Sequence, residues 1–269
     1  MAGVGLDPDV TKIPESIWSQ VGGKQNISEG FFLFCKEIID STSDIALDYK
    51  VNSNFFQGEG GRSALKKTFD YLKENAPDVI RVCDGKFADI GNTAEKIAEE
   101  VFDNLDADAV LLNPYMGFDA IEPFVKRKDK IAIICINTSN ESSSEVQNLV
   151  VDGQPLWLFL LKKAMNEWNM HGNIIPVLSA SHAIDVREIR KIVQDSPILL
   201  AGVGTQGGSL SESVPPLLDK NGYGLMISSS RQIIYATRKN GESIGDAARR
   251  ELTNLKSKIN QVKKNAKSN

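Results

Sequence analysis

The chain has 269 residues, 41% hydrophobic and 25% charged, the proportions of a globular protein with a sizeable core. Its net charge of -4 supplies no basic field to draw in nucleic acid, so an anionic small ligand must be met by a local cluster of donors. No apolar run approaches the ~20 residues that span a bilayer, and Met1 to Pro8 lacks the basic and apolar regions of a secretory leader, which implies a cytoplasmic protein with neither membrane nor nucleic-acid partner.

The first strand is expected at Gly3 to Leu6, so near the start that the beginning reads as abbreviated. Ile45 to Lys50 is the second, and Leu65, Phe69 and Leu72 then repeat at the spacing of one helical face. Val79 to Cys83 reads as a strand, Ile97, Val101 and Leu105 as a helix, and Ala109 to Asn113 and Ile131 to Ile136 as strands. The polar stretch from Ser139 to Gln154 reads as a long surface loop on the functional side. Leu156, Leu160, Ala164 and Trp168 form another helical face, followed by strands at Ile174 to Leu178, Ile198 to Ala201 and Tyr223 to Ile227. A last helix carries Ile244, Ala248, Leu252, Leu255 and Ile259, and Lys256 to Asn269 reads as its solvated end and a frayed tail.

The strand runs are short, apolar and mostly not alternating, as parallel strands covered on both faces should be. Eight of them with helices between predict right-handed βαβ units closed into a TIM (β/α)8 barrel, one domain over residues 1–269. A doubly wound open sheet is the alternative. Cys35, Cys83 and Cys135 each sit in an apolar stretch and read as buried free thiols of a reducing compartment. His171 and His182 have no metal-ligand spacing with them, so neither a metal centre nor a histidine relay is expected.

A barrel does its chemistry where strands end. Asp7 follows the first strand, Lys50 and Asn52 end the second, and Asp84, Lys86 and Asp89 follow the third. Thr138 and Ser139 follow the fifth, Gln206, Gly207 and Gly208 the seventh, and Ser230 and Arg231 the eighth. Singly, each has an ordinary reading: Lys50 as a snorkelling surface lysine, Asp84 as a turn residue, Asp89 as the cap of a helix beginning near Thr93. Together they outline a site.

Residues two apart in an extended chain point to one side, so Asp84 and Lys86 can enter the same cavity while Asp89 lies further into the loop. An ammonium flanked by carboxylates stays charged, and it can stabilise a developing carbanion and then hand it a proton. Asp84 can also crowd an anionic group that leaves as a neutral molecule. The glycines of Gly202-Val203-Gly204-Thr205-Gln206-Gly207-Gly208 let backbone N–H groups approach an anion, and Arg231 on the next strand can bind two phosphate oxygens at once.

These pieces resemble the orotidine 5′-monophosphate decarboxylase family over nearly the whole chain: Gly5-Leu6-Asp7-Pro8-Asp9, Lys50-Val51-Asn52, Asp84-Gly85-Lys86 running to Asp89-Ile90-Gly91-Asn92-Thr93, Asn113-Pro114-Tyr115-Met116-Gly117, Thr138-Ser139-Asn140, the glycine-rich segment, and Ser229-Ser230-Arg231 leading to Tyr235-Ala236. The resemblance implies cofactor-free and metal-free decarboxylation of orotidine 5′-monophosphate to uridine 5′-monophosphate by a homodimer. It implies a charged array of Lys50, Asp84, Lys86 and Asp89 with Lys86 as proton donor, and Asp89, Ile90 and Thr93 acting across the dimer interface. Asp7, Lys50 and Asn52 would hold the ribose, Ser139 and Thr138 the pyrimidine edge, and Gln206, Gly207, Gly208, Ser230 and Arg231 the phosphate, with 206–217 as a closing loop.

Three departures stand out. Ala201 occupies the place of the family's usual proline beside the departing carboxylate, Ser179-Ala180-Ser181 replaces a common Gly-Ala-Thr, and the helix that usually precedes the first strand is largely missing. Rival readings are a magnesium-dependent sugar-phosphate enzyme of the same barrel group, which shares the acidic–lysine motif, and a nucleotide-binding barrel without turnover. Thr138-Ser139-Asn140 and Gln206 favour the pyrimidine nucleotide.

Overall fold

The computed structural model describes residues 1–179, 186–202 and 209–268. Eight parallel strands close into a barrel in chain order: β1 Ala2–Leu6, β2 Asp48–Asn52, β3 Ile80–Phe87, β4 Ala109–Leu112, β5 Ile131–Cys135, β6 Ile174–Ser179, β7 Ile198–Ala201 and β8 Leu225–Ser229. Around them pack α1 Ile27–Thr42, α2 Gly61–Asn75, α3 Gly91–Glu99, α4 Leu156–Lys163, α5 Val186–Val193, the short α6 Arg231–Ile234 and α7 Ile244–Ser268. The expected (β/α)8 barrel is the observed one, and the open sheet is not. Among the described residues no helix is long and apolar enough to cross a membrane.

Several boundaries differ from the sequence reading, each for a local reason. β2 begins at Asp48 because Ile45 and Ala46 donate their N–H groups back to the Thr42 carbonyl, closing the turn after α1. β8 begins at Leu225 because Tyr223 is tied to Asp219 through both backbone and side chain, with Gly224 at φ +84° ending that turn. The stretch 139–154 is not a bare loop: it holds a short helix, Ser143–Gln147, and a two-stranded hairpin, Val150–Val151 with Gln154–Pro155. α7 continues to Ser268, so the lysine-rich end is, as expected, the last turns of a helix, which run further than expected.

The largest difference is β3, which runs on through Asp84, Gly85 and Lys86 instead of stopping at Cys83. Cys83 pairs with Val110 and Phe87 with Leu112, so four steps of β3 face two of β4, a bulge with two surplus residues. Lys86 adopts φ +47°, a left-handed conformation that a lysine holds only where its surroundings fix it.

Two apolar clusters form the core. The larger lies between strands and helices, where Phe34, Phe69, Phe124 and Leu252 are buried. The smaller fills the barrel itself and includes Val82, Leu111, Ile133, Val177, Leu199 and Met226. β1 contributes only glycine to that interior, and both glycines are required by close approach. A Cβ on Gly3 would lie 2.0 Å from Asp48 Oδ1, and one on Gly5 would lie 2.7 Å from the Ser230 Cβ.

Asp48 is therefore a carboxylate inside the barrel, with no exposure at all. Its Oδ2 accepts a 2.7 Å hydrogen bond from Ser228 Oγ, while its buried Oδ1 has no partner. Burial pushes its pKa up to about 6, against the opposing pull of Ser228, Lys50 and the Met1 amino group. A carboxyl pKa raised on folding means that the folded chain holds its proton more tightly than the unfolded one. Stability is thus greatest below the unfolded value of 3.8 and declines as pH rises towards about 6. Asp48→Asn, which never ionises, should be more stable than the wild type by about 3 kcal/mol at pH 7 and by little at pH 4. Urea unfolding at both pH values checks this, and an equal difference at the two would refute it.

Candidate active site

At the carboxyl ends of the strands, Asp84 lies between two ammonium groups. Lys50 Nζ donates to Asp84 Oδ2 at 2.8 Å, and Lys86 Nζ reaches Oδ1 at 3.0 Å and Oδ2 at 3.2 Å. The strands explain the convergence: Asn52 pairs with Asp84 in the register, so Lys50 sits one inward-facing step below it on the neighbouring strand. The side chains grade from 3% exposed for Asp84 through 17% for Lys50 to 48% for Lys86. The innermost is the anion and the outermost a cation facing the opening.

Burial would raise the Asp84 pKa, but the charges of Lys50 and Lys86 and their hydrogen bonds outweigh it and hold the carboxyl below its usual range. For Lys50 burial acts the other way, and Asp84, Asp7 and Asp48 reverse it, leaving the ammonium above its ordinary value. Both charges are thereby fixed near neutral pH, and two lysines converging on one opening favour negative charge developing on a bound molecule.

A cavity of about 290 Å³ opens above this group. Of the residues expected at the site, Asp7, Lys50, Asp84, Lys86, Thr138, Ser139, Ala201, Ser230 and Arg231 line it. Three buried polar atoms in its lining have no partner: Asp7 Oδ1, Asn137 Nδ2 and Ser230 Oγ. Unsatisfied polar atoms buried in a cavity wall are rare and point to a polar ligand. Among the described residues, Arg231 makes no ion pair either. No group of three His, Cys, Asp or Glu gathered for a metal ion occurs among them.

Four expected residues do not reach the cavity of their own chain. Asn52 accepts from the Asn54 N–H at 3.2 Å and caps the short helix at Ser53–Phe56. Asp89 accepts from the N–H of its neighbour Ile90, whose side chain is 54% exposed. Thr93 lines a separate groove of about 460 Å³ between α2 and α3. Gln206, Gly207 and Gly208 lie outside the described residues, as do Ala180, Ser181 and His182.

Other participants were not expected. Cys35 and Cys83 are buried as foreseen, but Cys135 is half-buried and lines the cavity, because it faces inward at the end of β5. Asn137 accepts the Ser179 N–H at 2.6 Å, joining β5 to β6. Gln147 grips Thr138 twice, accepting its N–H at 3.0 Å and donating to its hydroxyl at 2.8 Å. Tyr235, just after α6, donates to the Asp7 carbonyl at 2.9 Å and accepts the Asp9 N–H at 2.6 Å, so one short segment positions both Arg231 and the loop carrying Asp7.

Residues 33–243 match the model of the family described as "Orotidine 5'-phosphate decarboxylase / HUMPS family". The orotidine 5′-phosphate decarboxylase of Janthinobacterium sp. (strain Marseille) is 38% identical over 258 residues, covering 96% of this chain and 92% of that protein. That of Cellvibrio japonicus (strain Ueda107) is 38% identical over 257 residues, with the same two coverages of 96% and 92%. Among solved structures, Leishmania donovani OMP decarboxylase superposes with a TM-score of 0.81 at 27% identity, over 97% of this chain and 93% of that one. The UMP synthase of the same organism gives 0.82 at 29% identity over 97% of this chain, which spans 53% of that larger protein.

Replacing Lys50 by methionine leaves Asp84 nearly buried beside a single half-exposed cation, at a cost to folding of about 3 kcal/mol at pH 7. Because the Asp84 pKa is depressed on folding, its stabilisation is complete above the unfolded carboxylate value of 3.8 and is lost as pH falls through the lower folded value. The gap between wild type and Lys50→Met in urea unfolding should therefore narrow below about pH 4. A constant gap would place the contribution of Lys50 outside this pairing.

Proposed function

The chain belongs to the orotidine 5′-phosphate decarboxylase / HUMPS family, and from that membership we propose that it is a carboxy-lyase converting orotidine 5′-monophosphate to uridine 5′-monophosphate and carbon dioxide, a step of pyrimidine biosynthesis. The observation that carries this reading is the Lys50–Asp84–Lys86 group beneath a cavity with Arg231 at its rim. The substrate supplies a carboxylate beside Asp84 and a phosphate for Arg231.

Asp84, held ionised, crowds the substrate carboxylate. The bond from that carboxylate to the ring breaks, carbon dioxide leaves, and the electron pair stays on the ring carbon beside two ammonium groups. Lys86 then donates its proton to that carbon and is reprotonated from solvent. No metal or organic cofactor enters this sequence. Asp7, Lys50 and Asn52 hold the ribose, Thr138 and Ser139 the pyrimidine edge, and Gln206, Gly207, Gly208, Ser230 and Arg231 the phosphate. Closure of 206–217 over the phosphate lets remote binding energy assemble the charged site. Ala201 leaves the pocket around the departing carboxylate wider than a proline would.

Asp89 completes the array from a second copy of the chain, with Ile90 and Thr93 beside it, so that the working unit is a homodimer of one-domain barrels. Two observations support this. Asp89 does not reach its own cavity, and Phe55, Ile90, Tyr115 and Met116 expose apolar surface after three neighbouring strands, β2, β3 and β4. A cytoplasmic setting agrees with three unpaired thiols.

The loss of ultraviolet absorbance as orotidylate is consumed tests the reaction, with and without chelator. Turnover should be unaffected by chelation, and loss of turnover on removing magnesium would instead favour the sugar-phosphate branch of the family. Lys86→Ala should lower kcat by ~10⁴-fold while uridylate still binds. Substantial residual turnover would sink the proton-donor assignment. Mixing inactive Lys86→Ala with inactive Asp89→Ala should restore roughly a quarter of wild-type activity, because random exchange makes half the dimers mixed and each mixed dimer has one intact site. No recovery would place Asp89 in the cavity of its own chain.

A further inference from the structure

Asp48 is a buried ionisable group that the chemistry above does not use. It stands two residues before Lys50 on β2, so both side chains face the barrel interior, ~7 Å apart along the strand. The space for it is made by Gly3 on β1, where any side chain would collide with its carboxylate. On the far side of Gly3, Ser228 of β8 donates its hydroxyl hydrogen to Asp48 Oδ2 at 2.7 Å. Ser228 also lines the site cavity.

Among the described residues, the cations that act on Asp48 are Lys50 above it on its own strand and the Met1 amino group at the start of β1. β3 presents Ile80 and Val82 at its level, with Asp84 higher up, and β8 presents Met226 and Ser228. Burial of a carboxylate here weakens the fold near neutral pH. Asp48 lies directly beneath a cation of the site, so its charge bears on that cation.

We propose that Asp48 is a positioning residue for the decarboxylation, an interior carboxylate that draws the Lys50 ammonium downward and so leaves more of the Asp84 charge free to act on the substrate. This rests on reading the cavity as a decarboxylase site. Lys50 is bonded to Asp84 above it at 2.8 Å and feels the charge of Asp48 below it without touching it. When Asp48 is neutral, Lys50 closes on Asp84, whose two oxygens are then compensated by two ammonium groups, and its crowding of the substrate carboxylate weakens. Ser228, meanwhile, keeps its hydrogen pointing down and offers the cavity only acceptor lone pairs.

Asp48→Asn isolates the charge, since the asparagine carbonyl still accepts from Ser228. Expected are a kcat about tenfold lower with KM changed by less than about twofold, loss of an acid limb near pH 6 that the wild type shows, and a Tm at pH 7 above that of the wild type. A residue with a purely structural role would lower Tm and leave the pH profile in place. Wild-type kcat in Asp48→Asn across the pH range would overturn the proposal. Ser228→Ala gives a second arm should that variant fold poorly. It removes a hydrogen bond that favours the charged form, so the acid limb should move to higher pH, and an unmoved limb counts against the proposal. In the free protein, carbon-13 NMR of the aspartate carboxyls reads the link without substrate: the resonance titrating near pH 6 should shift upward in Lys50→Met. An unmoved midpoint refutes the Asp48–Lys50 link whatever the turnover. A moved midpoint in a chain that leaves orotidylate untouched supports the link and overturns the functional reading instead.

Discussion

A carboxylate that is 3% exposed persists as an anion here because two lysines hold it from different strands and different heights. Most of the functional end of the barrel follows from that requirement. Lys50 has to come from β2, one inward step below Asp84, which demands the register in which Asn52 faces Asp84. Lys86 has to return to the same carboxylate from only two residues away, which demands the bulge and the left-handed backbone at Lys86. With both cations bonded to Asp84, three other residues of the cavity wall, Asp7, Asn137 and Ser230, keep unpartnered atoms for a ligand to meet. The ionic centre is complete before substrate arrives, while the surrounding hydrogen bonds are not.

The supporting contacts reach across long sequence distances. Tyr235 ties the Asp7 loop to the segment bearing Arg231, so the two ends of the cavity are set by one hydroxyl bridging 228 positions of chain. Gln147 fixes both the N–H and the hydroxyl of Thr138 from within the polar insert after β5. Contacts of this sort hold strand-end residues in place without touching any reacting atom.

The barrel was legible in the sequence because parallel strands covered on both faces read as short apolar runs, and eight such runs between amphipathic stretches leave few topologies. Asp84 and Lys86 were legible as a pair, though for a different reason from the one that holds: they share a cavity through an irregular strand, not through simple alternation. Asp48 was not legible. It fell within the expected second strand with nothing to mark which way it faced, and only Gly3, 45 positions earlier, opens the room that takes it inside. Gln147 was hidden in a run of polar residues with no spacing to mark it, and Cys135 was misjudged because an apolar strand has an end that faces the opening. For Asn52, Asp89, Ile90 and Thr93 the sequence offered positions next to the motif, and folding of one chain turns them away from its own cavity.

The bulge in β3 separates the inheritance of shape from that of chemistry. β3 pairs with β4 on both sides of the two surplus residues, at Cys83 and at Phe87, so the closure of the barrel is indifferent to them. A lineage losing that pair of residues would keep a strand of ordinary register and a closed barrel, yet Asp84 and Lys86 would no longer share one opening. Conversely, two residues added near a strand end need not disturb the pairing on either side of them, as β3 shows. The strand is thus a place where one genetic event can give or take away a reaction while leaving the fold in circulation.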